Sequence, residues 1–395
     1  MKTPAHRLRI ITGARSTIAA LLLLSTLNPH LSTSAQAQGG SLTPPAGAPG
    51  PTMKTLDQVE ARTPAVAGAP GVSILPSGTI VLAQSRSYYL TYNVGVSQAG
   101  AHGIHIQASN VTLDLNGFGI YSVGNAVLGN AIEIGANVNV HIRNGSIVSG
   151  STYDYVTGVV TKLGFAFGIN ATGRPVSVKD LTIQGTRDTA IKLNAIIGAL
   201  VSDCTVIVSG NGGIKAGSIR DCQADFCLGD AIHGRIVTNC EGLSIGTGGG
   251  VIADAIVANC NGVANGSSAT WGVHGAYVVH NCHGYSPNGA GVSGISISNS
   301  YGESLASTGI DGETVVNSYG DSLDGNGLVA ATATNSMGYY RGNAGTAKGM
   351  LIDGTASFCR GFANAGANSI QAPIAIGCTS INGPISSASK HLGTP

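Results

Sequence analysis

A short motif that recurs at a nearly constant interval is the strongest constraint on how this chain folds. Asp or Asn followed by Cys or Ser returns every 18 to 23 residues, usually with Gly two residues after the Cys or Ser. This interval is the length of one coil of a solenoid, and neither a heptad nor a helical hairpin repeats at that length. The clear copies are Asp203-Cys204, Asp221-Cys222, Asn239-Cys240, Asn259-Cys260, Asn281-Cys282, Asn299-Ser300, Asn317-Ser318 and Asn335-Ser336, with looser ones at Phe358-Cys359 and Gly377-Cys378.

Two columns of apolar residues accompany the motif. One follows a small residue, and the other lies three residues before each Cys or Ser, as at Ile310 and Val315. We therefore expect two short β-branched strands per coil, separated by Gly, Asn, Asp and Ser turns. In coils stacked about 4.8 Å apart, each apolar residue would pack against the equivalent residue of the next coil. The prediction is an all-β, single-stranded right-handed parallel β-helix (solenoid) of about 14 coils over residues 71–395, its hand taken from the general preference of parallel connections.

Composition agrees with a solenoid and restricts the partners. The 395 residues include 59 Gly, and only 10% are charged and 5% aromatic, which suits a thin core of small side chains. The formal net charge of +1 argues against nucleic acid or an anionic membrane as a general partner, because both require a concentrated basic face.

The N-terminal residues predict export. Basic residues precede a short apolar run, and Ala35-Gln36-Ala37 fits a small-x-small cleavage site, so residues 1–37 are interpreted as a signal peptide. An uncleaved anchor is the other interpretation. Residues 38–70 form a Pro/Gly-rich lead-in in which 53–62 could make a short helix. With no later apolar span, we expect a protein that is secreted or held at the cell surface, with the periplasm as the alternative.

The cysteines follow the repeat. Seven of the eight lie on its Cys/Ser column, and Cys227 does not. Interchange with Ser indicates a small inward-facing position, so we expect buried and mostly unpaired thiols. Inter-coil disulfides are the alternative, although parallel Cβ vectors aim the sulfur atoms poorly. A metal site is not expected, because no CxxC or clustered Cys/His spacing occurs.

Several segments resemble a known family. VTLDLNGF at 111–118 and NVHIRNGSI at 139–147, followed by NCxG and NSxG coils, are similar to the secreted bacterial right-handed parallel β-helix repeat proteins of the pectate-lyase-like superfamily. The lead-in at 41–64 resembles the N-terminal segments of one group of them. The resemblance implies the fold over nearly the whole mature chain. It implies little about activity, because the superfamily includes lyases, hydrolases, epimerases and adhesins.

Enzymes of this superfamily bind and convert their substrates on the outer face of one sheet. The residues that directly follow the first apolar column are expected on that face. Lys192, Lys215 and His233 should stack there on three successive coils. Such a row could neutralise a uronate carboxylate while one member, its pKa lowered by the others, removes the C5 proton in a β-elimination. A solvated face with scattered charges is the alternative. Arg187, Asp230 and Arg235 are expected nearby as substrate ligands, and Asp188 is also expected close to the row.

Acidic residues are too dispersed to predict hydrolysis. Asp311 and Glu313 share a strand face, with Glu303, Asp321 and Asp324 on neighbouring turns. The polygalacturonase pattern of Asn-Thr-Asp, Asp-Asp and His-Gly coils is absent. Calcium suits these oxygen ligands, but no repeated Gly/Asp calcium motif is present, so no cofactor is predicted.

A binding ladder is predicted at the position after each Cys or Ser. Tyr301 and Tyr319 should lie about 5 Å apart, with His283 on the preceding coil. This row could stack against sugar rings, or it could simply stabilise the face of the solenoid.

These patterns favour an exported β-helix with a surface-structural or carbohydrate-interacting role, whose partner is a polysaccharide or cell-surface glycan. The alternative is a polysaccharide lyase acting on a uronate-containing polymer. A lyase should have a cleft over Lys192, Lys215 and His233, for which residues 153–173 are the loop long enough to form a wall. The oligomeric state is left open, because unpaired coil edges also permit end-to-end assembly.

Overall fold

The chain folds into a parallel β-helix of about 14 turns, which confirms the predicted class. The structure is a computed structural model that describes residues 62–124, 126–173, 175–193, 198–268, 270–342, 346–364 and 367–390. No helix occurs in these ranges, and hence none long and apolar enough to cross a membrane. The predicted signal peptide and most of the lead-in, including its short helix, lie outside the described residues.

Strands run along three faces of the coil, here called sheets 1, 2 and 3. Early strands of sheet 1 are Ile80–Leu82, Ile104–Ile106, Ile132–Ile134, Ile169–Ala171 and Ile191–Leu193. Early strands of sheet 2 are Thr63–Pro64, Ser87–Tyr89, Val111–Asp114 and Ala199–Ser202, and two long strands, Val140–Val148 and Val176–Thr186, pass from sheet 2 into sheet 3. Later strands pass from sheet 1 into sheet 2: Ile214–Arg220, Ile232–Thr238, Val251–Ala258, Trp271–His280, Ala290–Ser298, Ile310–Val316, Leu328–Thr334 and Met350–Ser357.

Sheet 3 is completed by Val94–Val96, Gly119–Ser122, Thr205–Ser209, Gln223–Cys227, Glu241–Ser244, Asn261–Ala264, His283–Ser286, Tyr301–Ser304, Tyr319–Ser322, Met337–Tyr340, Arg360–Ala363 and Thr379–Ile381. The last coils contain Ile370–Gln371, Ile374–Ile376, Ile385–Ser386 and Ser389–Lys390. Pairing between coils is parallel throughout the described residues. The antiparallel pairs are Val72–Ile74 with Ile80–Leu82, and the hairpin of Thr152–Asp154 with Val159–Thr161.

The coil differs in one respect from the predicted pair of strands. Its two apolar columns lie on the two halves of one bent strand, as in Ile310–Val316, and a further strand, Tyr319–Ser322, forms sheet 3. The inward positions of that strand are Gly320 and Ser322. Because sheet 3 buries small residues, hydrophobic periodicity does not reveal it.

Glycine is required where sheet 3 packs against the strand of sheet 1 that follows it. A β-carbon at Gly302 would overlap the Gly309 carbonyl oxygen and lie 2.9 Å from Ile310 Cγ1. A β-carbon at Gly309 would lie 2.6 Å from the carbonyl oxygens of Asp321 and Gly327. The repeated Gly of the motif therefore permits the backbones of two sheets to touch.

The Asn/Asp-Cys/Ser pair forms the bend between sheets 2 and 3. Its Asn or Asp has a left-handed backbone in every clear copy, with φ between 49° and 55°. The next side chain donates a hydrogen bond to the carbonyl two residues before it, as from Cys282 Sγ to His280 O at 3.2 Å and from Ser300 Oγ to Ser298 O at 2.9 Å. Cys and Ser interchange because both are small donors. All eight cysteines are buried, as predicted.

The solenoid begins before residue 71. Thr63–Pro64, assigned above to the lead-in, pairs in parallel with Tyr88 and Tyr89. Arg62 and Arg143 both form ion pairs with the buried carboxylate of Asp114, at 3.1 and 3.2 Å. This aspartate belongs to the VTLDLNGF segment, so the segment joins the first coils together.

Phe358 occupies a bend position where the clear copies of the motif have Asn or Asp. Its φ is 52° and its side chain is 66% exposed. A left-handed backbone costs a residue of this type about 1–2 kcal/mol, and little burial offsets it. We therefore expect Phe358→Asn to raise the free energy of unfolding by about 1 kcal/mol, measured by urea denaturation. The reciprocal change Asn335→Phe should lower it, and a stabilising Asn335→Phe would contradict this account.

Candidate functional site

Strand register places the predicted cationic row on sheet 1. Lys192 pairs with Lys215, and Lys215 pairs with His233, on three successive coils. Their side chains are exposed or half-buried on the outer face, at the strand spacing of about 4.8 Å. The same outer column continues at Glu133 and Asn170 before the row and at Ile252, His274, Ser293 and Asp311 after it.

The row lines a groove of about 670 Å³. The Nζ atom of Lys192 lies 4.8 Å from the ring centre of Phe167, a cation–π contact that orients the ammonium group. A smaller cavity of about 240 Å³ adjoins Lys192, Lys215, His233 and Asp230. The side chains that complete the larger groove include Asn170, Thr172 and Asp254, none of which the sequence analysis selected.

Residues 153–173 form only part of the expected wall. The first part makes the antiparallel hairpin, in which Tyr153 and Tyr155 pack against Phe226 of sheet 3 with ring centres 5.0 and 5.3 Å apart. Only its last residues, from Phe167 onward, line the groove. The groove is therefore walled by a loop on one side, and the hairpin packs on a different face.

His233 lies between two carboxylates. Its Nδ1 is 3.1 Å from Asp230 Oδ2, and its Nε2 is 3.2 Å from Asp254 Oδ1. The hydrogen bond to Asp230 outweighs burial and, with the one to Asp254, raises the pKa of His233. A doubly hydrogen-bonded imidazolium is a cation and a proton donor. The direction is opposite to the lowered pKa expected for a general base in this row.

Asp254 was not among the predicted site residues, although the spacing of the apolar columns indicates an irregularity at this strand. The two apolar columns are five residues apart in the coil of Ile232 and Val237 and six apart in the next, at Val251 and Val257. The extra residue forms a bulge in the register between these coils. Bulges re-aim side chains, and this one directs Asp254 toward His233.

Of the three other predicted ligands, one lies at the site and two lie outside the groove. Asp230 belongs to the site: burial acts to raise its pKa, but hydrogen bonds from His233 and the Gly249 amide lower it overall. Arg187 lines a neighbouring cleft of about 390 Å³ with Lys162 and donates to Leu128 O at 3.4 Å. Arg235 is exposed and does not line the groove. The structure therefore brings together the row and Asp230 but not the two arginines.

The aromatic ladder forms as predicted on sheet 3. His283, Tyr301 and Tyr319 are in register, with ring centres 4.9 and 5.2 Å apart and planes tilted by 20° and 9°. Rings stacked so closely cover each other's faces. They present edges and phenol groups outward, so the expected stacking of these faces against sugar rings does not fit the geometry.

An arginine outside the repeat columns neutralises two of the dispersed acids. Arg341 contacts Glu303 Oε1 at 2.6 Å and Asp321 Oδ1 at 2.7 Å. Asp311 and Glu313 line a separate shallow cleft with His274, and burial raises the pKa of Asp311. Within the described ranges, no group of three or more His, Cys, Asp or Glu is placed to hold a metal ion.

The fold is similar to that of a solved structure. No protein-family model and no curated protein matches the chain. The chain is similar to the A-module of the mannuronan C-5 epimerase AlgE6 from Azotobacter vinelandii, at 13% sequence identity and a TM-score of 0.33. This similarity covers 78% of the chain and 90% of the module.

Proposed function

We propose that this protein is an exported, surface-structural β-helix that binds a carboxylate-bearing polysaccharide along the groove of sheet 1. The observation that carries the proposal is the register of Lys192, Lys215 and His233 on successive coils. Lys192 and Lys215 lie on strands about 4.8 Å apart, with the carboxylate-paired His233 on the next coil, and this row suits a polymer with repeated negative charges laid along the solenoid axis.

The rest of the groove supports a sugar chain in particular. Asn170 and Thr172 supply hydrogen-bonding groups for hydroxyls, and Phe167 offers an apolar surface beside Lys192. Asp230 and Asp254 favour the protonated form of His233, which offsets part of their negative charge at this end of the groove. Among the described residues, the loop at Phe167 lines one side of the groove, and the strand column along the solenoid axis can accommodate a long chain.

Elimination is the second candidate, and one residue favours it. His274 lies two coils beyond His233 on the same column. Burial lowers the pKa of His274, so its imidazole is neutral at pH 7, and its ring stacks on Trp271 with centres 4.4 Å apart. A neutral imidazole two coils from the cationic row, on the same outer face, is a group that could remove the C5 proton of a uronate bound along this column.

The test is affinity electrophoresis of the purified protein through gels that contain a soluble polyuronate. We expect Lys192→Ala/Lys215→Ala to weaken binding by about ten-fold, since each lost ion pair with an exposed carboxylate is worth up to about 1 kcal/mol. Wild-type binding should also weaken as the pH rises through the raised pKa of His233, because the site then loses a positive charge.

Lys179→Ala is the matched control. Lys179 is 52% exposed on sheet 2, where it pairs with Asp180 and Asp203, so its loss should leave retardation unchanged. Equal weakening by both variants would contradict the proposed groove. Ultraviolet absorbance of the protein incubated with the same polyuronate reports elimination, and unsaturated product that disappears in His274→Ala would establish a lyase instead.

A further inference from the structure

A second groove runs along the bend between sheets 2 and 3, on a different face from the cationic row. It has a volume of about 1210 Å³ and spans eight successive coils, from Thr205 to Met337. Seven strand spacings make it roughly 34 Å long. From its side chains we infer that this groove binds a neutral, hydroxyl-rich polysaccharide, extended along the solenoid axis. This inference does not depend on the proposed function of sheet 1.

The Asn side chains at the bend form hydrogen bonds with their neighbours in the first half of the groove but not in the second half. In the first half they bond to each other: Asn239 Nδ2 donates to Asp221 Oδ1 at 3.1 Å, Asn259 to Asn239 at 3.1 Å and Asn281 to Asn259 at 3.2 Å. This series of side-chain hydrogen bonds ends at Asn281. Within the described residues, no hydrogen bond occupies the side-chain amides of the three following copies, Asn299, Asn317 and Asn335.

Two of these three amides lie on coils of the tyrosine ladder, and the third, Asn335, shares its coil with Met337. Asn299 precedes Tyr301 by two residues, Asn317 precedes Tyr319 likewise, and all four residues line the groove. Burial raises the pKa of both phenols, that of Tyr319 to about 12, so both hydroxyls remain protonated. Two successive coils in this half thus offer an amide and a phenol, which match the donor and acceptor hydroxyls of a sugar, and the Tyr301 hydroxyl also contacts Glu303 Oε2 at 3.4 Å.

Periodicity and charge select the ligand. The amide–phenol pairs repeat at the strand spacing of about 4.8 Å, close to the advance of one residue in an extended 1,4-linked chain. No Lys or Arg lines this groove among the described residues, whereas Asp221 and Glu241 do. Glu303, next to Tyr301, is already neutralised by Arg341. Anionic chains would be repelled, and the amide and phenol groups match the hydroxyls of an uncharged sugar chain.

The experiment is co-sedimentation of the purified protein with insoluble cellulose, and with chitin as a second neutral polymer. The variant Tyr301→Phe/Tyr319→Phe keeps the stacked rings and removes both hydroxyls. Asn299→Asp/Asn317→Asp removes the amide donors but keeps a residue that tolerates the left-handed bend, as Asp203 and Asp221 already do. We expect each double variant to reduce retention by about ten-fold, through the loss of two hydrogen bonds.

Two controls test whether retention by neutral polymer comes from this groove. Tyr277→Phe removes the hydroxyl of a tyrosine that is 61% exposed on the strand Trp271–His280, and it should retain full binding. Lys192→Ala/Lys215→Ala should also sediment normally with neutral polymer, whatever becomes of polyuronate binding. Failure of the wild type to sediment with either polymer, or sedimentation unaffected by both double variants, would overturn the inference.

Discussion

Replacing Gly309 by alanine is expected to lower the free energy of unfolding by about 3 kcal/mol or more. The added β-carbon would lie 2.6 Å from the carbonyl oxygens of Asp321 and Gly327, and it would also overlap the Asp321 amide nitrogen. These are backbone atoms of strands held in ladders on both sides, so no side-chain rotation can make room. Separating sheet 3 from sheet 1 would disturb the coils above and below as well.

Urea denaturation followed by circular dichroism measures this effect, and Gly135→Ala is the matched control. A β-carbon at Gly135 would meet nothing nearer than Asn137 Nδ2 at 3.8 Å, and no left-handed backbone requires glycine there. The control should therefore unfold close to the wild type. Comparable midpoints for the Gly309 and Gly135 variants would show that the sheets can separate without loss of stability.

Replacing Arg341 by methionine is expected to lower the free energy of unfolding by about 2 kcal/mol at pH 7. The change leaves the buried carboxylate of Asp321, only 7% exposed, and that of Glu303 without their shared partner. A fully buried pair would cost more, but the Arg341 side chain is 36% exposed and water can partly replace it.

The decrease in the free energy of unfolding caused by Arg341→Met should depend on pH. Burial already raises the pKa of Asp321, and removing Arg341 raises it further. The deficit should thus be small below the unfolded-state pKa of about 3.9, where Asp321 is protonated in both states, and should grow as the pH rises through the raised value. Arg341→Met/Asp321→Asn should recover most of the loss, and Arg220→Met, at an exposed arginine of sheet 2, should change little. A deficit independent of pH would refute this account.

The repeating features of the fold were predictable from the sequence. The Asn/Asp-Cys/Ser interval and the two apolar columns sufficed for the β-helix, because stacking places like residues on like and a column in the sequence becomes a column in space. The same rule placed Lys192 beside Lys215 and Tyr301 beside Tyr319. It did not reveal sheet 3, since Gly320 and Ser322 fill its interior without a hydrophobic signal.

What the sequence by itself determined is therefore the coil, its stacking and the order of side chains along each outer face. Only the tertiary structure decided which residues from different faces and bends meet: Asp254 with His233, Arg341 with Glu303 and Asp321, and the hairpin of residues 152–161 with Phe226 instead of the groove. Regular strands have a fixed period, so position in the chain specifies position in space. Bulges and loops lack that period, and the packing of the side chains they carry determines where they lie.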